Sequence, residues 1–362
     1  MFTEKHYLED LAPNQLDTYL SRGWYRMGQA VFTCRFLLFQ DRLFPAVWIR
    51  LPLAGYHFRK SLRKLQKRND RRFRTVVREA QLNPEKESLY QRYRRSFHGR
   101  IAPTLRSSLL DDADYNIFDT WEVNVYDRDQ LVAFSFFDLG EKSLASILGV
   151  YDPNYASFSL GFYTMLEEIR FGLRTGMEHY YPGYVVPGYD KFDYKLRIGP
   201  VQFYSEPTDE WKALSELDAY NLPPARMQRR LEEVRKQLES KGIRSNLFLY
   251  PPYEANLIGY WILDYLEYPL LLHCHAHPQH PIRLVLAFDH LQEQYRLFFC
   301  STYDDLTDFF ASGKNKGGAQ YPSEMELLIK EEVVAESPSA EEMVSIIVDQ
   351  EKRLRPLFRS NS

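Results

Sequence analysis

Between residues 59 and 72, basic side chains recur at a spacing that can hold a polyanion. Arg59, Arg63, Lys67 and Arg71 fall every fourth residue, and Lys60, Lys64, Arg68 and Arg72 run beside them. On an α-helix, residues four apart share a face, so the two rows merge into one wide cationic stripe. Like charges at that spacing repel by roughly a few tenths of a kcal/mol per pair, which makes the stripe a poor stabilising device. An ordinary solvated face is the alternative. Against it, the segment Tyr56 to Arg106 carries sixteen basic and only four acidic residues, a net charge of +12 that leaves −15 for the rest of a chain of overall charge −3. Leu62, Leu65 and Phe73, with Val76 and Val77, give the helix an apolar side on which to seat. Phosphate contacts of this kind supply affinity without sequence choice, so the expected ligand is RNA recognised by shape, with salt-sensitive binding.

A second stretch has an order that packing alone does not demand. Tyr151-Asp152-Pro153 leads through Ser159-Leu160-Gly161-Phe162-Tyr163 into an amphipathic run. It closes with Tyr180-Tyr181-Pro182-Gly183-Tyr184, then Gly188-Tyr189-Asp190-Lys191-Phe192-Asp193-Tyr194-Lys195. This sequence of segments resembles the arginyl-tRNA-protein transferases and their bacterial leucyl-transferring relatives, in which a YDP turn, an SLG-Y helix, a YxxGY segment and a G-x-x-K-x-x-YK tail follow one another. Upstream, Leu20-Ser21-Arg22-Gly23-Trp24-Tyr25-Arg26 is similar to that family's LLxRGWRR segment, and Phe58 to Asn69 to its FxxSRSQRRxLRRN run. The resemblance covers roughly residues 8 to 205 and rests on collinear order. It implies a GNAT-like acyltransferase fold and transfer of an aminoacyl group from aminoacyl-tRNA to the amino terminus of an acceptor protein or peptide; for this chain no cofactor is expected.

One departure stands out. The family carries a CxxC and further cysteines before the basic run, where Phe32-Thr33-Cys34-Arg35 keeps a single thiol and Phe44-Pro45-Ala46 supplies none. A metal cluster needing several thiolates cannot be built there. Acceptor choice is therefore made differently, or the acceptor has changed.

Aminoacyl transfer needs a neutral amine to attack an ester carbonyl, a donor for the oxyanion and a proton for the departing ribose oxygen. The ester is already activated, so positioning supplies much of the rate. Asp138, where the family also places an aspartate at a strand end, is the residue expected to orient or deprotonate the amine, or simply to cap a turn. Tyr184 is expected to donate to the carbonyl or the terminal adenosine, unless it is a buried strand tyrosine. Lys191 and Lys195 fit a phosphate clamp near the acceptor end, or are ordinary surface lysines. Ser159, Gly161 and Tyr163 belong to the substrate-binding set with the stripe, because Ser159 to Gly161 opens a helix whose amides could receive a phosphate. A plain helix start explains the same residues.

These groups need a scaffold. Trp121 to Tyr126 alternates apolar with polar residues and is followed by Asp127-Arg128-Asp129-Gln130, a hairpin-like turn. Leu131 to Leu139 and Ser143 to Val150 read as further strands, Ser157 or Ser159 caps a helix to about Thr175 with Gly176 beyond it, and Glu178 to Tyr184 is a strand. Strand, strand, strand, helix, strand is the order of a GNAT-like core, within an α/β (α+β) chain. At 362 residues, 44% hydrophobic and 15% aromatic, two or three packed domains are expected. The boundaries are residues 1–80 for an amino-terminal module with the basic helix, 81–215 for the core and 220–362 for an appended α/β domain. Charged residues from Met1 to Asp10 leave no apolar leader, Leu257 to Leu272 is interrupted by Asp264 and Glu267, and the three cysteines are far apart. A cytosolic protein with no membrane span follows as the expectation.

In the appended region, Ala225 to about Ser240 reads as a charged helix ended by Gly242, Arg244 to Leu306 as strand-like, and Pro322 to Phe358 as two helices separated at Glu336-Ser337-Pro338-Ser339. His273, Cys274, His275, His277 and His280 could hold zinc if three imidazoles shared a strand face, but Pro278 and Pro281 favour an exposed loop, and no metal site is assigned. Two other functions are open. An acyl-CoA-dependent N-acyltransferase would need a glycine-rich pyrophosphate loop, and only Gly161 lies between Tyr151 and Tyr163. An RNA-binding relative without catalysis is the other.

Overall fold

The structure, a computed structural model, describes residues 3–39, 41–97, 101–254, 257, 261–274, 282–306 and 321–358. Along the chain run β1 (Thr3–Tyr7), α1 (Pro13–Ser21), β2 (Tyr25–Met27), β3 (Ala30–Cys34), β4 (Phe36–Phe39) and β5 (Arg42–Pro45). Next come β6 (Val47–Pro52), α2 (Lys60–Asp70), β7 (Arg74–Glu79), α3 (Pro84–Ser96) and α4 (Leu105–Leu110). The middle of the chain forms β8 (Thr120–Asp127), β9 (Gln130–Leu139), β10 (Ser143–Tyr151), α5 (Leu160–Thr175) and β11 (His179–Val185). There follow β12 (Gln202–Ser205), β13 (Glu210–Ala213), α6 (Pro223–Ser240), β14 (Asn246–Leu249) and β15 (Leu270–His273). The last elements are β16 (Ile282–Asp289), β17 (Gln294–Asp305), β18 (Glu326–Ser337) and α7 (Ala340–Phe358).

Two compact units result. The larger comprises Lys5–Thr33 and Val47–Leu217; the smaller comprises Met1–Glu4, Cys34–Ala46 and Asp218–Ser362.

The larger unit is built on an eight-stranded sheet of order β13-β12-β6-β11-β10-β9-β8-β7. β8 and β9 form the expected hairpin, closed with Arg128 in the left-handed region at φ 59. Phe134 and Phe136 of β9 pack with Leu89, Tyr90, Leu105 and Leu109 of α3 and α4, while Phe137 meets Phe171 of α5 with ring centroids 5.5 Å apart. β9 is thus covered on both faces, which explains its near-continuous run of apolar residues. α5 buries Leu160, Tyr163, Leu166 and Ile169 completely and stops at Gly176, whose φ of 76 suits glycine. β11 then returns parallel to β10, so the core has the expected strand, strand, strand, helix, strand order within a mixed α/β fold.

That parallel pairing is short. Ser143, Leu144 and Ala145 face His179, Tyr180 and Tyr181, and the ladder ends there. Pro182 has no N–H to continue it. Beyond that point β10 stays with β9, past an irregularity between Ser146 and Leu148, while Gly183, Tyr184 and Val185 pair with β6. The two strands therefore part and leave a wedge between Ser146–Tyr151 and Gly183–Val185.

In the smaller unit, an antiparallel sheet of order β14-β15-β16-β17-β18 packs with α6 and α7 around Met227, Leu231, Val234, Met343 and Ile347. Phe36, Leu38 and Leu43 of the β4–β5 hairpin pack against the same core. Three sequence expectations need correction. Val76 and Val77 lie in β7, not on the basic helix, because the chain turns at Asn69, whose carbonyl accepts from both Arg72 and Phe73. The first of the two helices expected after Pro322 is strand β18, held by its ladder with β17 and suited to the β-branched Val333-Val334. α6 begins at Pro223, a residue well adapted to a first helical position, and not at Ala225. Among the described residues, no helix is long and apolar enough to cross a membrane.

Candidate active site and nucleic-acid interface

α2 exists as the spacing predicted, and its two sides differ sharply. Leu62, Gln66 and Asn69 are buried, whereas Arg63, Lys64, Lys67 and Arg68, with Arg59 and Arg71 at its ends, are exposed. Among the described residues, Arg59, Arg63, Lys64, Lys67 and Arg71 have no carboxylate within ion-pair distance. The far end of α2 is pinned to the start of α5. Asn69 Nδ2 donates to the Phe158 carbonyl at 3.0 Å, Arg68 Nη2 to that of Ser157 at 3.2 Å, and Tyr163 Oη to Asp70 Oδ1 at 2.6 Å. Tyr163 is fully buried and also lies 3.1 Å from Thr75 Oγ1, so the structure uses it to seat α2.

Ser159, exposed and left-handed at φ 54, precedes α5 without a side-chain capping bond. Its carbonyl accepts from Phe162 and Tyr163, so the first amides of α5 are left without helical partners. Gly161 lies under Tyr151: a β-carbon there would be 3.2 Å from the Tyr151 ring. The Arg68 end of the cationic stripe therefore adjoins the turn that holds Ser159.

The wedge is the second locus. Glu168 enters from α5, with no exposed surface, and its Oε2 accepts from Tyr180 Oη of β11 at 2.8 Å. Burial pushes its carboxyl up to about 7. A 3-10 segment, Asp190–Ile198, follows β11 and carries Lys191, Tyr194 and Lys195. Burial raises the Tyr194 hydroxyl, and the Glu168 carboxylate adds to the effect. Lys195 Nζ donates to the Tyr184 carbonyl at 2.9 Å and lies 5.1 Å and 5.3 Å from the Tyr184 and Phe192 ring centroids. The residue is half-buried but its amine is the enclosed end, and desolvation brings it down to about 7. Lys191, four residues earlier, is exposed, with Nζ 5.6 Å from the Tyr189 ring centroid. Tyr184 itself stands edge-on to Trp48 at 5.1 Å.

Asp138 lies apart from this group. It pairs with Ala145 across the ladder and shares a sheet face with Phe134 and Phe136, opposite the face on which α5 packs. It has no exposed surface. Arg26 Nη1 donates to its Oδ1 at 2.9 Å and Thr120 Oγ1 at 2.6 Å, while no bond to Oδ2 is found among the described residues. Burial raises the carboxyl and lowers the guanidinium, and each partly restores the other. The same guanidinium reaches the Leu109 carbonyl and Asn116 Oδ1.

Sequence reasoning did not single out Glu168, Tyr180 or Arg26. A carboxylate in the otherwise apolar stripe of α5 was a readable signal, since Leu160, Thr164 and Glu168 recur every fourth residue and are all buried. Arg26 was visible only as a member of a segment, because its partners are 94 and 112 residues away. Of the histidine cluster, His273 and Cys274 are buried, and His275, His277 and His280 lie outside the described residues.

The family described as arginine-tRNA-protein transferase, C terminus, matches residues 85–205. The chain is 27% identical over 207 residues to an aspartate/glutamate leucyltransferase of Leptospira interrogans, covering 56% of this chain and 79% of that one. It is 27% identical over 203 residues to the enzyme of that name from Campylobacter jejuni, covering 54% and 82%. Among solved structures, a GCN5-related N-acetyltransferase from Anabaena variabilis is 10% identical with a TM-score of 0.29, over 80% of this chain and 56% of that one.

Proposed function

We propose that this chain, a member of the aminoacyl-tRNA-protein transferase family, moves an aminoacyl group from a charged tRNA to the amino terminus of an acceptor protein or peptide. The observation that carries the structural half of this reading is the exposed, unneutralised row on α2, which ends at Arg68 against the turn that opens α5. A backbone lying along Arg59, Arg63, Lys67, Arg68 and Arg71 brings its end to Ser159 and Gly161, at the mouth of the wedge. Lys191, exposed beyond β11, is placed to hold a terminal phosphate. The Tyr184 hydroxyl serves as a donor to the ester carbonyl or the terminal adenosine. Asp138, enclosed with Arg26, acts by fixing β2 against β9 and so shaping the acceptor side.

The reaction needs little chemical assistance beyond orientation and proton handling, because the ester is activated before it arrives. A charged-tRNA donor places the reaction in the cytoplasm. The family description speaks of arginine, and the names of the relatives speak of leucine on aspartate or glutamate, so both donors belong in the test. Radiolabelled amino acid on a mixture of charged tRNAs is offered to peptides with different amino-terminal residues. Label on a peptide names donor and acceptor together. No label, with salt-dependent tRNA binding retained, replaces transfer by the RNA-binding alternative.

A further inference from the structure

We propose that Lys195 is the general base of the transfer, taking a proton from the acceptor's α-amine and handing it to the departing ribose oxygen. This deepens the transfer reading above and rests on it. It also separates Lys195 from the phosphate-clamp role that its motif suggests, a role left to Lys191.

Location comes first. Lys195 Nζ lies against Gly183, two residues beyond the last pair of β11 with β10. A β-carbon on Gly183 would be 3.1 Å from Nζ, and its φ of 95 is one that side-chain-bearing residues rarely adopt. The amine thus sits where the parallel ladder has ended and the wedge opens.

Its surroundings come second. Nζ donates to one backbone carbonyl, that of Tyr184, and stands between the rings of Tyr184 and Phe192. Among the described residues, no carboxylate is within ion-pair distance. The titratable groups nearby are Tyr184 on β11 and Tyr194 on its own segment, with Glu168 of α5 behind Tyr194. An enclosed ammonium without a counter-ion is disfavoured, and desolvation alone brings this amine down to about 7. A phosphate clamp needs a permanent charge. A base working near neutrality needs an amine that is half unprotonated, and Lys195 meets that need.

The step balances without any further reactant. With the acceptor amine neutral, its lone pair forms the C–N bond to the ester carbonyl as Nζ takes one N–H proton. The C–O bond to the ribose then breaks, its electron pair goes to the ribose oxygen, and that oxygen receives the proton back from Nζ. Lysine ends as it began, with one amide and one uncharged tRNA formed.

The test compares Lys195→Arg and Lys195→Met with the unmodified protein, measuring charged-tRNA affinity and the single-turnover rate at saturating tRNA. The expected result is affinity within about twofold and a rate lower by roughly 100-fold or more in both variants. Arginine keeps the charge but cannot act as a base near neutral pH, so near-normal transfer by Lys195→Arg, or a loss confined to tRNA affinity, overturns the proposal in favour of the clamp. A pH profile of the unmodified protein holds even if both variants misfold. It should rise through two ionisations, near 7 for Lys195 and near 8 for the peptide amine. A single rise near 8 overturns the proposal. Absence of transfer by the unmodified protein at every pH removes the underlying reading instead.

Discussion

The cations of α2 and the ionisable groups behind it are drawn from the same residue types, yet solvent assigns them opposite work. Arg63, Lys67 and Arg71 lie in water and present their charge over a long row. Lys195, Glu168 and the Arg26–Asp138 pair are enclosed, and burial moves each group toward its neutral form. Long-range attraction to phosphate needs the first arrangement, and proton transfer near neutrality needs the second. One surface can therefore recruit a polyanion without its charges disturbing the chemistry.

The comparison breaks most visibly at Asp138. Asp138→Asn leaves the Arg26 guanidinium buried without its counter-charge, and loss of about 3–5 kcal/mol of stability is expected in chemical denaturation. Unchanged stability together with lost transfer would instead make Asp138 a participant in the reaction. On the outer side, replacing Arg63, Lys67 and Arg71 together by Glu should leave the melting temperature nearly unchanged while weakening tRNA binding at least 100-fold, with a shallower dependence on salt. Binding that survives removes α2 as the tRNA seat.

Glu168 sharpens the inner side. Its carboxyl is held near 7 in the folded chain and near the ordinary 4.5 when unfolded, so the folded state gains from it fully below 4.5 and loses that gain as pH rises through 7. Glu167, also pushed up to about 7 by burial, adds a parallel dependence. Glu168→Gln should therefore flatten part of the decline in stability between pH 5 and pH 8, by on the order of 2 kcal/mol, and an unaltered profile would contradict the enclosure of that carboxyl. The smallest effect belongs to Tyr163→Phe, which removes the bond to Asp70. It should cost about 1 kcal/mol of stability and loosen tRNA binding only a few-fold through the less firmly seated end of α2.

Much of this was legible in the sequence wherever a local period carried the information. The four-residue spacing of Arg59 to Arg71 gave α2, the alternation from Trp121 gave β8, and Gly176 gave the end of α5. β18 was misread because Glu326–Ser337 mixes acids with aliphatics at no clear period, and its identity is settled by the ladder to β17. The wedge was invisible for a different reason. It arises where β11, which keeps β6 on one side, loses its pairing with β10 after Tyr181, and Pro182 marks the spot without saying what lies on either side. Arg26 and Glu168 draw their meaning from distant partners, which no window of sequence contains.

The most direct test sets the two regions side by side in one assay. Single-turnover transfer is measured at low salt and saturating charged tRNA for Lys67→Ala and for Lys195→Arg. The account predicts a wild-type rate for Lys67→Ala, whose defect is confined to affinity and reduces the salt slope by about 1. It predicts normal affinity and a rate lower by roughly 100-fold for Lys195→Arg. Equal losses of rate in the two variants, or undiminished transfer by Lys195→Arg, would contradict the division of labour between exposed and enclosed charge.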